Sequence, residues 1–395
     1  MLLLANVKQI TTWLHSALAA SHANANSKLE DFDLYTNSRT LEQRCLEHAW
    51  RVYPPATAIQ PLAQQGGCSY TLLVSLGSDG SRPDVTVSNE AAPKALVLQY
   101  RPRRFALDLT LCRRAHKTYG SLVPTVKSRG RVSDMCFERD VYGLSLLSGV
   151  RLDGIQAQNR HLDEYAVQKL QVLLSGLAQF FATGCRAANR QADWMHCTGK
   201  VGSSLLSRLE KLAPELPSPT LRARASAALL AAQNGAMDLL PVVLTHGDLV
   251  PSNILVTPQS WELTGLVDWA EAEDLPFGIG LYGIEHLFGY MDHDVWVWYD
   301  QAAELRMFFW HCLVTNLPEL READVERSVL LAKEIGILLW HGFAWDEGSI
   351  DRVVNERDDR EEVEIMRAFL DANGEESEAY AKSSGKKDSK LDFEC

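Results

Sequence analysis

Four polar side chains, His246, Asp248, Asn253 and Asp268, lie within the stretch LTHGDLVPSNILVTPQSWELTGLVDW (244–269). An aspartate in this setting can receive the proton of a hydroxyl. An amide oxygen and a second carboxylate brought together suit Mg²⁺, which takes few protein ligands and completes its shell with phosphate and water. The spacing, H-x-D-x-x-x-x-N followed by a later Asp, is that of phosphoryl-transfer sites. Asp248 is then the candidate catalytic residue, and Asn253 and Asp268 are the candidate metal ligands.

The elements around these residues must hold them together. Ile254 to Val256 and Leu263 to Val267 are short apolar runs broken by Thr257-Pro258-Gln259-Ser260, so they predict a β-hairpin. Such a hairpin sets Asn253 and Asp268 at the ends of adjacent strands. Upstream, Ala58 to Leu76 reads as strand, turn and strand, with Gly66 and Gly67 at the tip. Backbone N–H groups at Gly66, Gly67, Cys68 and Ser69 could approach phosphate oxygens there, although many Gly-Gly turns only reverse the chain.

Composition narrows the function classes. The chain has 395 residues, an apolar fraction of 46% and a formal net charge of −12, ordinary for a folded globular protein. The charge is unevenly spread. Ala225 to Leu305 contains no Lys or Arg but twelve acidic residues, whereas Lys94 to Arg131 holds ten basic residues opposed only by Asp108. An acidic chain without a broad basic surface argues against a nucleic-acid partner. The eight cysteines are scattered without a C-x-x-C pair, which suits reduced thiols in a cytoplasmic protein. No apolar run approaches the length of a membrane span.

In chain order, residues 1–57 predict a helical extension, with Leu41, Cys45, Leu46 and Trp50 near one face. Residues 58–147 predict a β-rich unit with a third strand over Ala95 to Tyr100, a helix from Phe105 to Tyr119, and strands over Leu122–Val126 and Met135–Leu147. Ser148-Gly149-Val150 reads as a hinge. Residues 148–370 predict a mainly helical unit, with helices over Asp163–Ala182, Ser203–Leu212, Thr220–Ala232, Val295–Leu313, Asp324–Phe343 and Arg360–Leu370. Residues 371–395 read as a polar, disordered tail.

HGDLVPSN (246–253), LVDW (266–269), PFGIGLYGIEHLFG (276–289) and VLQYRPRRFALDL (97–109) together resemble the aminoglycoside phosphotransferase and choline kinase-like family, particularly fungal members of unassigned substrate. The resemblance runs from about Ala58 to Leu370. It implies an α+β, two-lobed, protein-kinase-like fold with a small β-rich N-lobe and a large, mainly helical C-lobe. It also implies transfer of the γ-phosphoryl group of ATP, or GTP, to a small-molecule hydroxyl with Mg²⁺. By position, Asp248 matches the catalytic aspartate, Asn253 and Asp268 the metal ligands, His246 the loop-bracing histidine, and Gly66, Gly67 and Ser69 the phosphate-covering loop. The third-strand lysine of such folds is missing, and its place falls at Gln99. Arg101, two residues on and so on the same face, is the candidate replacement. The following helix has no Glu partner, and Asp108 is its nearest carboxylate. A pseudokinase-like binding protein therefore stays open beside an active enzyme. A protein kinase is disfavoured because AEAEDLPFG lacks D-F-G and A-P-E. Glu271, Glu273 and Asp274, with Trp296, Trp298 and Tyr299 nearby, suggest an amine- or hydroxyl-bearing acceptor.

Overall fold

The computed structural model describes residues 38–77, 95–134, 137–188, 192–346 and 348–384. Two compact units divide between Val52 and Tyr53. In the first, the expected helix forms as Ser38–Val52, although Trp50 remains 44% exposed. Residues 1–37 of that extension lie outside the described residues, and its expected end at 57 is too late, since the helix stops at Val52 and a strand begins at Ala56.

The second unit begins with a five-stranded antiparallel sheet in the order β1-β2-β3-β5-β4. Its strands are β1 (Ala56–Pro61), β2 (Tyr70–Leu76), β3 (Ala95–Arg101), β4 (Val126–Asp134) and β5 (Phe137–Ser145). β3 lies in the middle, with Gln99 opposite Thr71 on one side and Tyr142 on the other. Leu72, Val74, Leu98, Tyr100 and Val141 bury one face of this sheet. Two details differ from expectation. The helix starts at Leu109, because Asp108 caps it by accepting from the N–H groups of Thr110 and Leu111. Leu122 to Val126 is not a strand; Gly120–Leu122 is a single 3₁₀ turn and β4 follows it. VKSRGRVSD carries no apolar alternation because β4 is a solvent-facing edge.

Beyond Ser148 the chain is mainly helical. Glu164–Arg186, capped by Asp163, is the central helix and buries Leu170, Leu173, Leu174 and Leu177. Around it stand helices Leu205–Glu215, Pro219–Gln233, Ala302–Asn316, Ala323–His341 and Arg360–Ser384. The stretch expected to be one helix from Val295 begins instead as a strand. β11 (Gly289–Asp292) and β12 (Val295–Trp298) form a hairpin, as the β-branched and aromatic VWVW favours. The last helix runs beyond the expected Leu370 to Ser384, with Ala372 and Asn373 buried. The remaining tail, 385–395, lies outside the described residues. The arrangement is α+β, a small β-rich lobe followed by a large helical one, as the motifs implied. Among the described residues no helix is long and apolar enough to cross a membrane.

Candidate active site

The predicted hairpin is present. β8 (Ile254–Val256) pairs antiparallel with β9 (Leu263–Leu266), and β8 also pairs with β6 (Val150–Arg151) beside the expected hinge. Directly beyond the hairpin, Val267 donates its N–H to the carbonyl of Asn253 at 3.0 Å. That bond brings the residue before Asp268 against Asn253. Asp268 itself sits in the left-handed region, at φ 61°. A non-glycine residue held there stores strain that the surrounding structure must outweigh, a condition that concentrates at functional sites.

His246 braces this loop. Its Nε2–H donates to Val267 O at 2.8 Å, and its Nδ1 accepts the Asp248 N–H at 3.2 Å. Burial drives its pKa down to about 4, so it works as a neutral strut between the two aspartates' segments and not as a proton donor. The Trp269 ring packs at 4.7 Å from it. Tyr282 adds a second brace: its hydroxyl accepts from Leu249 N–H and donates to Gly247 O, both at 3.3 Å. Gly247 has φ 78°, and a Cβ there would stand 1.9 Å from Glu271 O. Gly247→Ala should therefore destabilise the protein by about 2–4 kcal/mol, measured by chemical denaturation.

Asn253 turns its amide nitrogen to Asp248, donating to both the backbone O and Oδ2 at 2.9 Å. Both amide hydrogens are thereby used, and Asn253 Oδ1 is left as an acceptor facing away from Asp248. Asp268 uses Oδ1 to accept from Arg101 at 2.7 Å, while its side chain is 36% exposed. One amide oxygen and one carboxylate oxygen therefore stay available. That donor set fits Mg²⁺ on a polyphosphate, which brings its remaining ligands itself. Among the described residues no group of three or more His, Cys, Asp and Glu is placed to hold a metal ion without such a ligand.

Asp248 is pushed up to about 7, first by burial and then by the nearby charges of Asp268 and Glu271; the Asn253 hydrogen bond works against the rise. A carboxyl poised near neutrality is suited to taking a hydroxyl proton.

Arg101 is fully buried. Its Nε donates to Gln99 Oε1 at 3.2 Å, confirming that the two side chains share a strand face, and a terminal nitrogen donates to Phe105 O at 3.3 Å. With Asp268 as third partner, the guanidinium ties the small lobe to the candidate metal-ligand aspartate. Asp108 is not its partner; that carboxylate caps the helix. Lysine has one ammonium in place of the planar fork. Arg101→Lys should keep the charge yet lose most of these contacts, costing about 1–3 kcal/mol, seen as a lower urea midpoint.

Gly66 and Gly67 lie in the loop between β1 and β2. Gln65, which the sequence did not single out, closes that loop by donating to Leu62 O and Thr71 O and accepting from Thr71 N–H. Ser69 Oγ lies 3.2 Å from Thr71 Oγ1. An added Cβ at either glycine would meet nothing nearer than 3.9 Å, so the chain's own packing does not require them.

The three acidic candidates separate. Asp274 pairs with Arg114 and does not line the cavity beside Asp248. Glu273 is buried and accepts the N–H groups of Val201 and Gly202, a structural role. Glu271 is held by Lys200 Nζ, at 2.8 and 2.6 Å from its two oxygens. Trp296 and Tyr299 are core residues, and Trp298 lies under Arg306 at 4.3 Å; none of the three reaches the site.

Asp248, Asp268 and Arg101 instead line a cavity of about 340 Å³, together with Cys68, Glu271, Ile279, Tyr282, Leu339, Trp340 and Phe343. Ile279 and Tyr282 come from the 276–289 motif, and Leu339, Trp340 and Phe343 from the end of the helix expected over Asp324–Phe343. Tyr282 and Trp340 are stacked with ring centroids 4.9 Å apart.

No curated protein matches the chain. Among solved structures it is similar to the GDP complex of aminoglycoside 2'-phosphotransferase-IIIa, at 13% identity and a TM-score of 0.48, covering 87% of this chain and 99% of that one. It is similar to choline kinase LicA from Streptococcus pneumoniae at 11% identity and a TM-score of 0.45, covering 85% and 99%. It is also similar to macrolide 2'-phosphotransferase MphH from Brachybacterium faecium at 16% identity and a TM-score of 0.41, covering 73% and 98%. The family model described as "Phosphotransferase enzyme family" (APH) matches residues 93–276. That segment contains Arg101, His246, Asp248, Asn253 and Asp268 together, and in it the chain is similar to the APH phosphotransferases, the family its motifs resemble.

Proposed function

We propose that this protein transfers the γ-phosphoryl group of ATP to a hydroxyl of a small molecule. The observation that carries this reading is the convergence of Asp248, Asp268 and Arg101 on one cavity. Asn253, its amide nitrogen committed to Asp248, and Asp268 would hold Mg²⁺ between them. The metal supplies charge neutralisation on the phosphates. Asp248 orients the acceptor hydroxyl and takes its proton. The acceptor oxygen bonds to γ-phosphorus as the bond to the β–γ bridging oxygen breaks, and ADP leaves with that electron pair. Positioning and charge stabilisation supply most of the rate in such reactions. Gly66, Gly67 and Ser69 would cover the phosphates with backbone N–H groups, with Gln99 and Arg101 behind them. A cytoplasmic setting, with ATP or GTP at hand, suits this chemistry.

A second reading, a catalytically weak nucleotide- or small-molecule-binding protein, draws on one observation. Arg101 is engaged by three partners, including Asp268, so its charge meets a phosphate only across that carboxylate or after rearrangement. A mass-shift screen of hydroxyl-bearing compounds with Mg²⁺ and ATP separates the two. The first reading expects an acceptor that gains one phosphoryl group with wild-type protein and not with Asp248→Asn. Nucleotide binding without any phosphorylated acceptor favours the second.

A further inference from the structure

The acceptor end of the cavity has a chemical character of its own. Beyond Asp248 its wall is Ile279, Tyr282, Leu339, Trp340 and Phe343, four of them buried. At the outer edge Trp345 stacks with Phe105, ring centroids 6.4 Å apart. Apart from Asp248 and Asp268, the carboxylates lining the cavity are Glu271, Glu273 and Glu362, and each already has a partner. Lys200 holds both oxygens of Glu271. Glu273 is taken up by two backbone N–H groups. Glu362 Oε2 lies 2.7 Å from His341 Nδ1, and its side chain, 47% exposed, retains one oxygen for a further donor.

Resting on the phosphotransfer reading above, we infer that the acceptor is a predominantly apolar, ring-bearing alcohol or phenol carrying at most one positive charge. A polycation would have to shed water from several ammonium groups, and buried charge without a partner is strongly unfavourable. Apart from Asp248 and Asp268, which the transfer itself occupies, only Glu362 could receive one such group without displacing an existing partner. The aliphatic and aromatic wall rewards apolar area removed from water, and stacked rings favour a flat body. A cavity of about 340 Å³ holds such a molecule.

The test is calorimetric titration of the nucleotide-free full-length protein with two probes: 2-naphthol, neutral and apolar with one hydroxyl, and kanamycin, a polycationic polyol. The inference expects 2-naphthol to bind at least tenfold more tightly. Ile350→Glu, at the partly exposed rim of the cavity, should weaken 2-naphthol at least tenfold in a protein that still unfolds in one cooperative thermal transition. Lys200→Met, which releases Glu271, should strengthen kanamycin several-fold and leave 2-naphthol unaffected. Tighter binding of kanamycin by wild type, no binding of either probe at millimolar concentration, or an Ile350→Glu protein with unaltered 2-naphthol affinity would each overturn it. Neither titration contains nucleotide, so failure here leaves the phosphotransfer reading standing. Failure of that reading shows separately, in the Mg²⁺-dependent binding of ATP.

Discussion

Asp268→Ala should abolish metal-dependent turnover and unfold the protein more easily, two losses from one side chain. On the proposed function the catalytic loss follows because the site would offer Mg²⁺ one carboxylate and one amide oxygen. Without Asp268, only Asn253 would remain, and turnover should fall by roughly a thousandfold or more, the scale seen when a charge-stabilising group is removed. The stability loss has a different origin. Arg101 is buried with its side chain 1% exposed, and Asp268 is its charged partner at 2.7 Å. Removing one member of a buried pair leaves the other's charge uncompensated, at a cost of about 3–5 kcal/mol. The lower end applies here, because Asp268 is itself 36% exposed and water screens the pair. Arg101→Met in the same protein should recover part of that stability and none of the activity. Steady-state kinetics and urea denaturation of the single and double variants read both effects.

Asp248→Asn should do the reverse, removing transfer while making the metal-free protein more stable above neutrality. Loss of the proton acceptor should lower turnover by about 10²–10⁴, with nucleotide binding kept. The stability sign follows from the direction of the shift. Folding raises the Asp248 pKa from 3.8 to about 7, chiefly by burial. Between those values the folded state holds more protons than the unfolded chain, so this group's contribution to stability falls as pH rises through that window. Asparagine carries no charge and can still accept the Asn253 amide bond that Oδ2 now accepts. The variant should therefore gain on the order of 1–3 kcal/mol over wild type above pH 7. The gain should shrink toward zero below about pH 4.

The local geometry of the candidate site was legible in the sequence because its residues are close along the chain. His246, Asp248, Asn253 and Asp268 sit on one loop and one hairpin, and short-range spacing sets their geometry. Gln99 and Arg101 were legible as a pair by strand period. What joins them to the rest was not. The Arg101–Asp268 bond spans 167 positions, and no local pattern announces a contact across two lobes. The cavity wall was hidden for another reason. Leu339, Trp340 and Phe343 follow the spacing of a buried helix, so apolar periodicity cannot tell residues that pack from residues that line a cavity. β4 escaped because an edge strand needs no apolar face. The acidic run after Asp268 misled in the opposite direction: Glu273 and Asp274 looked like ligand groups but brace backbone and pair with Arg114.

The most direct test of the account is calorimetric titration of the wild-type protein with ATP, once with Mg²⁺ and once with a chelator. The account predicts binding that requires Mg²⁺, is retained in Asp248→Asn and is lost in Asp268→Asn. Equal binding with and without the metal, or no binding at millimolar ATP, would contradict it.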